Sequence, residues 1–144
     1  MSDIMKQFNV WKKKIDNAID DSLENEVYDI AVEVMKEKIQ ERVYNQYAPT
    51  MYVRRYDDGG LLDDNNIRKK IYKSRHSINI KNMTDNGHTV NVVESGRGYK
   101  WTDSKIYKMQ PYPRPFHEPA EDELINSGKA KKALIKGLRR NGIK

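Results

Sequence analysis

The residue types that most often bind metals are scattered along this chain and lack the spacing of a site. The three histidines, His76, His88 and His117, lie far apart, and none belongs to a paired zinc motif such as HExxH. The chain has no cysteine, which excludes disulfides and thiolate metal sites. The sequence therefore predicts neither a metal site nor a bound cofactor.

The acidic residues do not form a catalytic pattern either. Four aspartates fall close together but lack the alternating spacing and closing glutamate of an EF-hand loop: Asp57, Asp58, Asp63 and Asp64. Asp58, Glu94 and Lys100 are nuclease-type side chains, but the Glu-x-Lys spacing of such sites is missing. A Gly-rich phosphate loop and a Gly-x-Ser-x-Gly elbow are also missing. We therefore predict that the protein is not an enzyme.

Apolar spacing predicts two N-terminal helices. The first is amphipathic, begins after Ser2 or Asp3 as its cap, and repeats apolar residues at spacings of four, three and four: Ile4, Phe8, Trp11 and Ile15. The polar run 20–22 is expected to interrupt it and to open a second helix, with Asp21 or Ser22 as the cap. The second helix should end before Pro49, because a residue ahead of proline avoids helical angles.

The middle of the chain predicts an antiparallel hairpin. Segments 76–81 and 89–94 flank Asp85-Asn86-Gly87, and Asn-Gly is the strongest two-residue hairpin signal. Residues 67–72 form a further candidate strand, and 95–110 a loop. A last helix is expected to begin near Pro119, with Gly128 as its weak point.

These elements predict an α+β fold with N-terminal helices, a small antiparallel sheet with a projecting hairpin, and a C-terminal helix. The length of 144 residues indicates one domain over 1–128, followed by a basic helix end or tail over 129–144. Only 37% of the residues are apolar, against about 45–50% in typical globular chains. We therefore expect the chain to bury surface against partners or to carry mobile segments.

Charge is distributed unevenly. Residues 1–50 hold 7 Lys/Arg and 10 Asp/Glu, whereas residues 51–144 hold 20 and 11. The last sixteen residues contain no acid and seven bases: Lys129, Lys131, Lys132, Lys136, Arg139, Arg140 and Lys144. Such an end favours contact with nucleic acid or an acidic protein surface, although a solvated helix face with a frayed tail explains it equally well.

Tyrosines alternate with arginines before the middle of the chain, at Tyr47, Tyr52, Arg54, Arg55 and Tyr56. This composition is typical of grooves for single-stranded nucleic acid and also of protein–protein hot spots. No apolar run approaches the roughly 20 residues needed to span a bilayer, and the N-terminus lacks a signal-peptide layout. We expect a soluble protein made in the cytoplasm, with no membrane partner.

Four features, taken in order, resemble one known group. After the helical N-terminal third comes Tyr47-x-Pro49-x-x-Tyr52-x-Arg54-Arg55, leading to Gly60-x-Leu62. Then come Glu94-Ser95-Gly96-x-Gly98-Tyr99 and, ahead of the last helix, Pro113-Arg114-Pro115-Phe116. This order is similar to that of the small neck proteins of long-tailed bacteriophages, of the tail-completion, tail-terminator or head–tail joining type. Asp57-Asp58-Gly59-Gly60 stands where that group usually has Thr-Gly, and the basic tail is longer.

The resemblance implies a structural virion protein without catalytic activity, made in the host bacterial cytoplasm. It would form a ring, expected to be a hexamer, between the portal or connector and the tail tube. Its assembly contacts are then expected at Tyr47, Tyr52, Arg54, Arg55, Tyr56, Glu94, Tyr99, Arg114 and Phe116. The seven C-terminal bases could face a lumen through which DNA passes, or bind an acidic neighbour.

The proline-rich segment 111–119 holds four of the five prolines. Its extended backbone is expected to anchor Phe116 in the core and present Arg114 at a fixed place. In a ring, that stiffness would set the geometry between subunits; a plain rigid linker within one subunit is the alternative.

Two other functions remain open at this stage. A free nucleic-acid-binding protein would use the basic C-terminal half, with steep salt dependence. A phage-encoded hydrolase is the third possibility, and no residue set supports it.

Overall fold

A computed structural model describes residues 2–46, 54–96 and 112–143. It confirms the α+β fold: five helices surround a two-stranded antiparallel sheet in the described ranges. The helices are α1 (Asp3–Ser22), α2 (Tyr28–Arg42), α3 (His88–Ser95), α4 (His117–Asn126) and α5 (Lys129–Arg140). The strands are β1 (Ile67–Tyr72) and β2 (Ser77–Asn82).

The N-terminal helices run into each other without the predicted break at 20–22. Helix α1 begins as expected, with the Ser2 hydroxyl accepting a hydrogen bond from the Met5 N–H at 3.2 Å. A π-helical turn, Leu23–Val27, then joins α1 to α2. Ser22 is not a cap, because its hydroxyl donates to the Ala18 carbonyl at 2.6 Å inside the helix. The predicted cap was wrong because Ser22 packs against another helix, and its hydroxyl forms its hydrogen bond within its own helix.

The hydrophobic core lies between α2, the start of β1, α3 and α4. Its fully buried members include Val34 and Ile39 from α2 and Phe116 from the proline-rich segment. Burial of a side chain of this size contributes about 1.5–3 kcal/mol. The core therefore joins the N-terminal third of the chain to the segment ahead of α4.

The sheet differs from the hairpin predicted over 76–94. Strand β2 pairs with the preceding strand, with Ile71 opposite Ile78 and Lys69 opposite Ile80. Residues 89–94, expected to be a strand, lie in helix α3, where Val90 and Val93 are buried at helical spacing. The Asp85-Asn86-Gly87 segment does take the positive φ angles that its residue types favour. The turn leads into helix α3, however, and not into a second strand. The conformation of the turn was therefore predicted correctly, but the element that follows it was not.

The C-terminal helix predicted from Pro119 is two helices. Helix α4 begins two residues earlier, and Gly128 separates it from α5 with a φ of 76° that favours glycine. Helix α5 packs closely against the α1–α2 junction at Gly137. A Cβ at this position would lie 2.4 Å from the Ser22 Oγ, so only glycine allows this approach.

Candidate functional site

The structure brings three of the predicted assembly residues to one cleft. Arg54, Arg55 and Arg114 line a cleft of about 160 Å³, together with Tyr44 and Thr89. These residues come from four separate parts of the chain, which the core holds together. The cleft therefore brings three arginines together beside α3.

Two of these arginines are held by well-defined partners. The Arg54 Nη1 donates to the Tyr44 carbonyl at 2.7 Å, and its guanidinium lies 4.9 Å from the centre of the Tyr44 ring. Arg55 forms a bidentate pair with Asp85 at 2.7 and 3.2 Å. Hydrogen bonds from Arg55 and Thr89 lower the pKa of Asp85 to about 2. Asp85 thus connects the 54–56 segment to the first turn of α3.

The backbone beside the cleft depends on Gly60. The ring of Tyr56 stands edge-on to Tyr44, with centroids 4.8 Å apart. A Cβ on Gly60 would come within 2.6 Å of the Tyr56 carbonyl oxygen. This close approach explains a glycine where the resemblance expects one, and it fixes the tyrosine pair.

Glu94 binds the proline-rich segment to α3. Its Oε1 accepts hydrogen bonds from the backbone N–H of Phe116 at 3.2 Å and of His117 at 3.0 Å, and lies 2.7 Å from the His117 Nδ1. Burial alone would raise the pKa of Glu94, but the hydrogen bonds from the His117 ring and backbone outweigh it, and the pKa lies below its ordinary value. The carboxylate therefore caps the N-terminus of α4, where the helix dipole also favours negative charge.

The same histidine reaches the sheet. The Asn82 backbone N–H donates to the His117 Nε2 at 3.2 Å, so the ring is an acceptor at Nε2 and donates from Nδ1 to Glu94. Asn82 itself is buried and donates from its amide to the Leu61 carbonyl at 2.7 Å. Sequence reasoning singled out Glu94 but not its partner His117, nor the Asn82 N–H that donates to the other side of that ring, because pairs so distant along the chain leave no local signal.

Phe116 and Arg114 are both buried, at 0% and 8% exposure. The expectation that Phe116 anchors in the core is confirmed. Arg114 differs from its expectation: its backbone N–H donates to the Val93 carbonyl at 2.8 Å and its side chain packs inward, so the segment does not display it at the surface of the single chain.

The C-terminal bases divide into two groups. Arg140 faces the α1–α2 junction and forms ion pairs with Asp21 and Glu26. Hydrogen bonds from Asn141 and Arg140 lower the pKa of Asp21, and the bond from Arg140 lowers that of Glu26. Lys129 turns toward Glu37 and Glu123, each 4.0 Å away.

The second group is not separated from the first around α5, because Lys132 and Lys136 line the same groove as Lys129. Its four members are exposed and form no ion pair with a described residue: Lys131, Lys132, Lys136 and Arg139. With a helical period of 3.6, Lys132, Lys136 and Arg139 lie within about 60° of one another, and Lys131 lies further around the helix. Tyr47, Tyr52, Tyr99 and Lys144 lie outside the described residues.

No group of three or more His, Cys, Asp or Glu side chains is arranged to hold a metal ion within 2–46, 54–96 and 112–143. None of the helices described here has the length and apolarity to cross a membrane.

Comparison with known proteins places the chain in a family. The model of the YomN family matches residues 7–140, and the chain belongs to this family. A relative in Bacillus subtilis (strain 168), the SPbeta prophage-derived uncharacterized protein YomN, is 33% identical over 120 residues, covering 82% of this chain and 80% of the relative. No solved structure matches the chain. The membership associates this protein with bacteriophages.

Proposed function

We propose that this protein is a structural virion protein of the phage neck, which joins the portal or connector to the tail tube as an oligomeric ring of the completion or terminator type. The observation that carries the proposal is the membership of a family with a prophage-derived relative. The order of the Tyr/Arg, Glu-Ser-Gly and Pro-Arg-Pro-Phe motifs supports the neck role in particular. The protein would act without catalytic turnover, in the virion.

The exposed surface of the molecule supports the proposal that the subunit buries further apolar area when it assembles. The apolar face of α1 is exposed at Ile4, Phe8 and Trp11, which is unusual for a chain that works alone. A two-stranded sheet also leaves outer strand edges to which a neighbour can add. A ring of identical subunits would cover such surfaces, with a hexamer as the expected size.

The mass of the purified protein in solution tests this proposal first. Light scattering coupled to size exclusion, with negative-stain images of the peak, should show closed rings of about six copies. If the ring closes only on a template, the protein should instead bind the ends of purified phage tails. A monomer that neither closes nor binds tails or portal-side neck proteins would contradict the neck role.

A second candidate function is sequence-independent binding of nucleic acid, favoured by the exposed bases of α5. Replacing Lys131, Lys132, Lys136 and Arg139 with glutamine should then abolish duplex binding at low salt. A matched control replaces the four lysines of α1: Lys6, Lys12, Lys13 and Lys14. Equal losses in both variants would indicate net charge alone, and a log–log salt slope near zero would exclude phosphate contacts.

A further inference from the structure

The N-terminal half of α1, residues 3–14 (the arm), carries an apolar stripe that no described residue covers. Ile4, Phe8 and Trp11 are 77%, 51% and 58% exposed. Their spacing places them on the same face as Ala18 and Ser22, which are buried where α1 meets α5. The core-facing stripe of α1 therefore continues beyond the edge of the domain.

The arm is also basic. It contains four lysines and a single acid, Asp3. Lys12 and Lys14 lie on either side of the apolar stripe, because each is about a quarter turn from its centre at 3.6 residues per turn. None of the arm lysines forms an ion pair with another described residue. The arm is thus complementary to an apolar surface with acidic residues at its border.

The same chain offers such a surface in a groove of about 650 Å³ between α2, the sheet and α4. Its floor is apolar and includes Ala31, Met35, Ile78, Ile80 and Leu124. Two isoleucines and the leucine of this floor are only half-buried. The groove therefore has room and apolar area for a ligand helix.

Helix α4 contributes one acid to the groove. Helix α4 carries exposed acids at Glu118, Glu121 and Asp122, of which Glu121 lines the groove. These three form no ion pair with any residue that the structure describes. On the opposite wall Arg75 is stacked on the Tyr72 ring at 4.5 Å. Glu121 can therefore pair with a lysine that flanks the stripe of the arm.

The arm cannot reach the groove of its own chain. It continues a helix whose second half is fixed in two places: Asp20 contacts His76 at 2.9 Å, and Ser22 packs against Gly137. A helical arm of this length extends about 18 Å beyond that support. The two complementary surfaces can therefore meet only between copies.

We propose that the arm of one copy lies in the α2–sheet–α4 groove of a second copy, with its apolar stripe on the apolar floor and a flanking lysine beside Glu121. Because the two surfaces differ, the contact is head-to-tail, which closes a ring when the rotation per copy allows it. The proposal rests on the self-association in the proposed function and identifies the contact that produces it.

Cross-linking between singly substituted chains tests this contact, and the absence of native cysteine makes each product unambiguous. A Gln7→Cys chain, changed on the flank of the stripe, is mixed with a Glu121→Cys chain and treated with a short bismaleimide. We expect a mixed covalent dimer. The control chain, Lys13→Cys, carries its cysteine on the opposite face of the arm and should give at least tenfold less. Equal yields from both, or dimers that join only Gln7→Cys to Gln7→Cys, would overturn the proposal.

Apolar substitution provides the second test. Phe8→Glu and Trp11→Glu should convert the assembly to monomer without changing the thermal midpoint of the monomer, since both side chains are exposed, whereas Val10→Glu should leave the assembly intact. Full assembly in the Phe8→Glu and Trp11→Glu chains would disprove the arm contact while leaving the ring and the neck role in place. A wild-type monomer whose arm binds phosphatidylserine vesicles, and loses this with Trp11→Glu, would overturn the proposal in favour of a lipid surface.

Discussion

The carboxylate of Glu94 stabilises three parts of the fold through one oxygen. It accepts from two backbone N–H groups at the start of α4 and lies within hydrogen-bond distance of the His117 ring, which in turn accepts from β2. Removing a charged acceptor from such a set leaves partly buried donors unsatisfied, and this typically costs about 1–3 kcal/mol.

Glu94→Gln should therefore lower the free energy of unfolding by about 1–3 kcal/mol at neutral pH. The pKa of Glu94 is lowered in the folded state, so its contribution is present above the ordinary value of 4.5 and is lost as pH falls through the folded pKa. Urea unfolding between pH 3 and 7 measures this difference. Glu118→Gln, in the exposed first turn of the same helix, is the control; an equal loss there would refute the role of Glu94.

Phe116→Ala should destabilise the protein by about 3–5 kcal/mol, because a fully buried aromatic ring leaves a cavity. Tyr112→Ala, four residues earlier and 67% exposed, should change stability by less than about 0.5 kcal/mol. Urea unfolding of the two variants compares them directly. Similar losses would mean that the proline-rich segment, rather than the Phe116 side chain, determines the stability.

At the scale of elements, the tip of the β1–β2 hairpin is fastened to α1 by a titratable contact. The His76 ring lies 2.9 Å from Asp20 and 3.4 Å from Asp16. The hydrogen bond to Asp20 raises the pKa of His76 above its ordinary value of 6.5. Its contribution to stability is therefore fully present below pH 6.5 and is lost as pH rises through the folded pKa.

The thermal midpoint should accordingly fall between pH 6 and pH 9, and His76→Asn should reduce that fall. Asparagine is the matched replacement because residue 76 has a φ of 48°, which asparagine tolerates. The other two histidines remain in both proteins, so the difference isolates His76. An unchanged pH profile in His76→Asn would show that this contact does not bind the hairpin to α1.

The contact between α5 and the α1–α2 junction predicts a penalty for a single methyl group. Gly137→Ala would place its Cβ 2.5 Å from the Ser22 Cβ and 2.7 Å from the Glu26 Oε2. Alanine is about 1 kcal/mol more favourable than glycine in a helix, but overpacking costs about 1–3 kcal/mol. We therefore expect a net decrease in the free energy of unfolding. Denaturant unfolding measures this decrease. The further substitution Ser22→Gly should restore part of the lost free energy of unfolding. A more stable Gly137→Ala protein would disprove the close packing.

At the scale of the whole molecule, α5 acts as part of the folded body. A chain ending at Gly128 would expose Ala18 and leave Asp21 and Glu26 without Arg140. We expect the free energy of unfolding to fall by about 3 kcal/mol or more, similar to the effect of removing a core side chain. A chain ending at Asn141 is the control and should retain its stability by the same unfolding measurement. Equal stability of the two truncated chains would support the reading of 129–144 as a separate tail.

Local chemistry allowed several features to be predicted from the residues. The start of α1 at Ser2, the weak point at Gly128, the positive φ angles at Asp85-Asn86-Gly87 and the burial of Phe116 all depend on a few neighbouring residues and their intrinsic preferences. The helix over 88–95 was missed because Thr and Val, which favour strands, alternate with other residues there. Burial of Val90 and Val93 on one helical face outweighed that preference.

The sequence by itself determined the α+β class, the basic C-terminal segment and the apolar stripe of α1, because periodicity and charge are properties of neighbouring residues. Only the tertiary structure decided which parts of these patterns face inward. It paired Arg140 with Asp21 and Glu26, left four other bases exposed, and covered one half of the α1 stripe while leaving the other bare. These choices depend on contacts between residues more than a hundred positions apart, such as Ser22 with Gly137, and no local preference encodes such distances.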